Sequence, residues 1–205
     1  IGRPTEAEDL IKEIKTGAAY NSLGIAKYVQ RNWINAKTQF KKSLGVEPEF
    51  AGAHENLALT LLHLKEFKAG WIEYDWRWKN TANRLTKPIF NKPIWNGKQL
   101  AGKNLLLHCE QGFGDAIQFI RYAGLIKKSE GKIYLACQPE LLDLLKDAPG
   151  IDEAYIFGSQ IPSYDFHAPL LSLPCITQSL VSEAKTIKSY LKVSAKQVEP
   201  RSQNE

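Results

Sequence analysis

Residues 103–122 read KNLLLHCEQGFGDAIQFIRY. An apolar run, Leu105 to Leu107, leads into a loop with two glycines, Gly112 and Gly114. Asp115 follows at once, and then Ile117, Phe119, Ile120 and Leu125 recur at helical spacing. Strand, glycine turn, acid, helix is the order in which an open α/β sheet builds a ligand site. The glycines are expected to let the backbone turn tightly and approach a ligand, and the new helix offers free N–H groups to anions. Asp115 is expected at the helix start, facing the cleft. The pattern is not the dinucleotide fingerprint: Gly112 and Gly114 supply GxG, but Ile117 holds the third position and is not small.

Downstream the same grammar repeats. Leu105–Cys109 reads as a buried strand and Ala116–Lys128 as a helix. Lys132–Gln138 is a second strand, stopped by Pro139, which also opens a helix over Glu140–Lys146 because proline suits a first turn. Pro149-Gly150 is a turn, Ala154–Phe157 a third strand and Phe166–Leu171 a short fourth. Alternating strands and helices at this spacing imply a parallel sheet with right-handed crossovers. The polar residues after Lys196 read as a frayed tail.

Upstream, residues 6–80 read as helix throughout. Shifting the chain by 34 residues pairs Leu23 with Leu57, Gly24 with Ala58, Ala36 with Gly70 and Phe40 with Tyr74. Those are the small and large packing positions of a helix–turn–helix repeat, and the period resembles that of the tetratricopeptide repeat. Tyr20, Leu23, Gly24, Ala36, Phe40 and Pro48 take the family positions in one copy; His54, Leu57, Ala58, Gly70 and Tyr74 follow in the next. Ser43 stands where alanine is usual and Lys27 where an aromatic is usual. Ala7–Ile14 reads as the last helix of an earlier repeat. Residues 81–103 form a connector, since Pro88, Pro93 and Gly97 interrupt any helix. Trp71, Trp76, Trp78 and Trp95 flank it. They are expected to form an inter-domain core, with a carbohydrate or peptide platform as the alternative. The organisation expected is therefore 1–80 helical repeats, 81–103 connector, 104–192 α/β domain and 193–205 polar tail.

Composition sets outer bounds. The chain has 205 residues, 43% hydrophobic and 24% charged, with a formal net charge of +5. That is long enough for a real core, and the lysines are scattered rather than blocked, which argues against nucleic acid as a partner. No apolar run is long enough to span a bilayer, and the first residues do not resemble a signal peptide. Cys109, Cys137 and Cys175 are odd in number and widely spaced. They read as free thiols in a reducing compartment, hence a cytoplasmic chain. It begins at Ile1 and holds no methionine, so it reads as a fragment of something longer.

Several motifs together resemble a bacterial family in which tetratricopeptide repeats are fused to a glycosyltransferase-like region related to the heptosyltransferases. They are GWIEYDWRW at 70–78, KPIWNG at 92–97, and Leu100, Gly102 and Lys103. Glu110, Gln111, Gly112, Gly114 and Asp115 come next, with Gln118, Phe119, Arg121 and Tyr122. Gln138-Pro139, Leu141-Leu142, DFHAPLLSLP at 165–174 and Tyr190-Leu191 complete the set. The resemblance covers about nine-tenths of the chain. It implies a GT-B fold: two Rossmann-like domains facing a cleft, the first holding the acceptor and the second the sugar nucleotide. The fold class expected here is α/β with an all-α repeat region, tetratricopeptide hairpins followed by the Rossmann-like parallel-sheet half of such a fold. The resemblance makes Asp115 a candidate general base, removing the acceptor hydroxyl proton as the sugar transfers. The chain stops just after Tyr190-Leu191, so the donor domain is not in it, and isolated residues 1–205 are expected to transfer no sugar.

Each site residue has a plainer alternative. Asp115 is a base or a helix-capping acid. Glu110 and Gln111 line the cleft or are polar loop surface. Gly112 and Gly114 cradle a substrate or only make the turn. Gln118 and Arg121 fall on one helix face; Arg121 meets an anion or a surface carboxylate. His167 faces the cleft from a strand end or packs as a polar residue. His54, His63 and His108 have no ligand spacing, so no metal is expected. No cofactor is expected, and a sugar nucleotide only with a second domain. Expected partners are a protein or peptide in the repeat groove and a glycan or protein acceptor. Two functions remain: the acceptor half of a glycosyltransferase, or a non-enzymatic interaction module with a degenerate α/β cap.

Overall fold

Thr16 starts the first described helix, α1 (Gly17–Val29), by accepting the Ala19 N–H at 3.2 Å on its hydroxyl. Asn32 does the same for α2 (Trp33–Val46), accepting from Asn35 at 3.4 Å. Two more helices follow, α3 (Ala51–His63) and α4 (Phe67–Tyr74), with a 3-10 turn at Asp75–Trp78. This computed structural model describes residues 14–80, 90–110, 112–126, 130–177 and 189–191. It divides into two units between Ile89 and Phe90. The proposed helix Ala7–Ile14 falls outside the described residues, apart from Ile14, which is not helical.

The 34-residue repeat is physical in the first unit. Ala36, Phe40, Leu57 and Leu61 form its buried core, with Tyr28 and Leu44 packed against them. Gly24 has to be small: a Cβ there would stand 2.4 Å from Cε1 of Phe40. The two inter-helix turns also match. Arg31 and Lys65, 34 apart, both adopt left-handed backbone, with φ of 58° and 62°. Beyond them Asn32 N–H reaches Lys27 O and Glu66 N–H reaches Leu61 O, each at 2.9 Å. These are paired Schellman caps, carried by long side chains where glycine is commoner. Ser43, the departure from alanine, is fully buried, and its hydroxyl donates to Gly17 O at 2.7 Å. Tyr74 is only half-buried, whereas its counterpart Phe40 is fully buried.

The second unit holds β1 (Leu105–His108), α5 (Phe113–Phe119) continued by a 3-10 segment Ile120–Leu125, β2 (Ile133–Cys137), α6 (Pro139–Leu145), β3 (Glu153–Ile156), β4 (Phe166–Pro169), a 3-10 turn Leu170–Ser172 and α7 (Leu173–Ile176). All strands are parallel, in the order β3-β2-β1-β4. The expected fold class, α/β with an all-α region, is what forms. β1 is central and buried along its whole length, as an unbroken apolar run in a parallel sheet should be. Its neighbours are set by register: Leu106 lies beside Tyr134 and His167. On that face Leu106, Tyr134 and Ala136 pack under Phe90, Tyr155, Ile161 and Tyr164. The β3-to-β4 crossover is thus an irregular chain laid over the sheet.

Residues 90–103 belong to this unit. Trp95 N–H donates to His167 O at 2.8 Å, and His167 N–H to Pro93 O at 3.1 Å, so the segment flanks β4. Trp95 is buried, and its indole N–H donates to Lys98 O at 2.8 Å. The other tryptophans have partners inside the helical unit. Trp71 meets Tyr74 edge-on, Trp76 stacks on His54 at 3.6 Å, and the Arg77 guanidinium lies 4.7 Å from the Trp78 ring. Trp71 and Trp76 are half-buried rather than core. Each of these three rings thus has a polar or aromatic mate a few residues or one helix away within its own unit.

Candidate functional site

The carboxyl end of β1 is where a 3-2-1-4 parallel sheet leaves a crevice, because the crossovers diverge to opposite sides of β1. The chain leaves β1 through Cys109 and Glu110 and enters α5 at Phe113, with Gly112 as N-cap. Asp115 lies in the first turn, its N–H donating to Gly112 O at 3.1 Å. It is half-buried, and its carboxylate has no hydrogen bond or ion pair among the described residues. Glu110 is half-buried too, with one carboxylate oxygen sealed from solvent. Gln111 lies outside the described residues.

Gly112 and Gly114 do something other than the turn expected of them. Gly112 has φ −62° and ψ 165°, open to any residue, and neither glycine has positive φ. A Cβ at either would meet nothing within 4 Å. They keep the backbone bare at a surface where Phe113 is 47% exposed. The helix starts three residues earlier than read, at Phe113 rather than Ala116, because the glycine before it serves as the cap.

Gln118 is exposed on α5, and its carbonyl accepts from Arg121 Nε at 2.9 Å. Among the described residues Arg121 has no carboxylate partner. Its Nη2 donates to the Tyr190 hydroxyl at 2.9 Å, and the guanidinium lies 4.4 Å from the Tyr190 ring centre. His167 is not at a strand end facing a cleft. It is the second residue of β4, 5% exposed, its ring 4.5 Å from Phe90 and its Nδ1 3.3 Å from His108 Nε2. His108, fully buried, is a member of this group that the sequence reading passed over. The available signal was its place two residues after Leu106, on the same strand face.

The thiols beside the site are inert. Burial, helped by neighbouring Cys137 and Glu110, pushes the Cys109 thiol far up, and burial pushes Cys137 up to about 11. Among the described residues no three His, Cys, Asp or Glu side chains gather to hold a metal, and no helix is long and apolar enough to cross a membrane. What the site offers chemically is a carboxylate with free lone pairs in the first turn of the helix that follows the central strand. A carboxylate so placed can accept a proton from a bound hydroxyl.

No family model matches the chain, and no curated protein matches it. Among solved structures, a mutant (K341M) of the Thermobaculum terrenum O-GlcNAc transferase aligns over 65% of this chain at 11% identity and a TM-score of 0.35. The chain spans 33% of that structure's length. The likeness is too distant to speak to chemistry. Helical repeats followed by a parallel sheet are what the chain itself displays.

Proposed function

We propose that this chain is the repeat region and acceptor-side half of a glycosyltransferase of the GT-B type, with Asp115 as general base. One observation carries the proposal: the unpartnered Asp115 carboxylate lies in the first turn of the helix that follows the central strand of a β3-β2-β1-β4 parallel sheet, the end at which such sheets take ligands. The motif resemblance supports it. In this reading Asp115 takes the acceptor proton, Glu110 and Gln118 line the acceptor's approach, and a separate domain brings the sugar nucleotide. Gly112 and Gly114 leave the backbone bare beside it; Arg121 and His167 are structural. The test is sugar transfer by the full gene product, scored by mass spectrometry over a panel of sugar nucleotides and glycan or peptide acceptors. Asp115→Asn should lower the rate by about 100- to 10,000-fold, the usual share of proton transfer. Transfer at the wild-type rate removes Asp115 from the chemistry.

A second reading, a protein-binding module, is favoured by one feature of the helical unit. Ile25 and Leu59, 34 residues apart on α1 and α3, are 43% and 38% exposed. Equivalent apolar positions left open on successive repeats suit an extended peptide. A peptide array probed with the chain, and with Ile25→Glu and Leu59→Glu variants, tests it; peptides held equally by all three chains would defeat it.

A further inference from the structure

The two tight turns of the helical unit lie side by side at one end of it. In the first, Arg31 N–H donates to Tyr28 O and Asn32 N–H to Lys27 O, each at 2.9 Å, so α1 reverses into α2 within a few residues. The second turn, at Lys65, is held beside it by two contacts. His63, the last residue of α3, stacks on Trp33 with ring centres 4.4 Å apart and planes 5° from parallel, and Lys37 on α2 pairs with Glu66 at 2.7 Å.

This end is apolar at its tip and basic around it. Val29, which closes α1, is 66% exposed, and Ile34, in the first turn of α2, is 64% exposed. They are the two most exposed large apolar side chains among the described residues. Between them in sequence, Trp33 is half-buried and meets Tyr28 edge-on at 4.8 Å. Residues 27–37 and 63–68 hold five cations and one acid. The acid, Glu66, is taken by Lys37. Arg31, Lys65 and Lys68 are exposed, and their charged groups have no hydrogen bond or ion pair among the described residues.

We propose that this end of the helical unit docks on an anionic lipid bilayer, with Val29, Trp33 and Ile34 entering the headgroup–acyl boundary and Arg31, Lys65 and Lys68 meeting lipid phosphates. A purely acidic partner would satisfy the cations but leave Val29 and Ile34 in water; a bilayer takes both. Tryptophan and tyrosine favour that boundary, since each joins an apolar body to a polar tip. The Tyr28 hydroxyl keeps His63 Nε2 as partner at 2.9 Å when water withdraws. The Arg31 and Asn32 amides are already bonded within the turn, so the tip leaves water without orphaning them.

The expected strength follows from the parts. Each cation close to an anionic surface adds about fivefold. Each aliphatic side chain of this size moved out of water adds at least about tenfold. Three cations and two aliphatic chains together give about ten-thousandfold, the strength of one myristoyl anchor, so docking is reversible and needs both signals.

Flotation of the whole chain with vesicles tests this. It should float with vesicles of equal parts phosphatidylcholine and phosphatidylglycerol, and bind phosphatidylcholine alone about a hundredfold more weakly. Val29→Ser combined with Ile34→Ser should cost about a hundredfold on the anionic vesicles. Ile72→Ser, at an apolar position of α4 that is 44% exposed, is the control and should change nothing. No flotation with anionic vesicles overturns the proposal. So does flotation that the double variant keeps, which would be charge attraction alone, or that Ile72→Ser weakens equally. A chain that ignores vesicles but is held by immobilised polyaspartate has an acidic protein partner instead, and the proposal falls. Should the double variant fail to fold, lipid brominated on its acyl chains decides. Fluorescence quenching that Trp33→Phe removes supports insertion; wild-type fluorescence untouched by that lipid refutes it.

Discussion

Gly24→Ala sets two effects of opposite sign against each other in the helical unit. Alanine is favoured over glycine inside a helix by about 1 kcal/mol. Against that, the added Cβ would lie 2.4, 2.5 and 2.9 Å from three ring carbons of Phe40. Carbon atoms pack at about 3.5–4.0 Å, so the ring must retreat by about 1 Å. It cannot do so freely, because Phe40 is wholly buried among Ala36, Leu57 and Leu61. Overpacking of this kind costs about 1–3 kcal/mol. Gly45→Ala is the internal control: the site is on α2, and its Cβ would meet nothing within 4 Å. The propensity gain is common to both variants and cancels in their difference. Gly45→Ala should therefore exceed Gly24→Ala in stability by about 1–3 kcal/mol, the packing share alone. Urea unfolding followed by far-ultraviolet circular dichroism measures this. A Gly24→Ala chain as stable as Gly45→Ala would mean that helices α1 and α2 do not approach at Gly24, and the repeat packing described here would be wrong.

Three other outcomes are expected. Cys109 and Cys137 are buried and their thiols pushed up, whereas Cys175 is half-exposed, so a disulfide reagent should modify Cys175 alone in the native chain and all three thiols in urea; rapid native labelling of Cys109 would contradict the burial. The Asn104 N–H donating to Asp165, with Lys103 beside it, holds the Asp165 carboxyl below its ordinary range. Its contribution is therefore present above about pH 3.9 and fades as pH falls, so Asp165→Asn should be less stable than wild type at neutral pH and converge with it in acid; a constant gap would exclude the linkage. Calorimetry of residues 1–205 with sugar nucleotides should show no micromolar binding, because the carboxylates of Glu110 after β1 and Asp115 in the first turn of α5 repel an anionic diphosphate; binding that Asp115→Ala abolishes would place the donor here.

The periodic parts of the molecule were legible from the start. Leu105–Leu107 announced a buried strand, Pro139 a helix start, and the 34-residue shift found the helix pairs and marked Gly24 as a small packing position and Phe40 as a large one. Features fixed by tertiary partners were not. Nothing near Arg121 foretells Tyr190, 69 residues on, and an arginine on an exposed helix face reads the same whether it awaits an anion or a phenol. The end of β4 was set two residues too late, at Leu171 instead of Pro169, by an apolar run that continues into a 3-10 turn, and the burial of His167 beside Phe90 and His108 depends on partners distant in sequence. The glycine loop was found for a reason the backbone does not support: φ at Gly112 is ordinary, and what glycine supplies there is bare surface. Aromatic richness signals burial in general and could not foretell that Trp76 is held by a histidine and a lysine.

The register of β4 against β1 also bears on how the second unit is made. Leu105 pairs with Phe166 and His108 with Pro169, so every pair on that side of β1 spans 61 residues, against 28 on the β2 side. During synthesis β1 can dock β2 early, but its other edge stays open until residues 166–169 emerge. For that interval LLLH is a flat, uncharged strand edge of the type that recruits other chains. Long loop closure makes its sealing slow. Yield in a cell should therefore depend on how fast β4 arrives, and a chain cut before Phe166 should precipitate even though three of its four strands are complete.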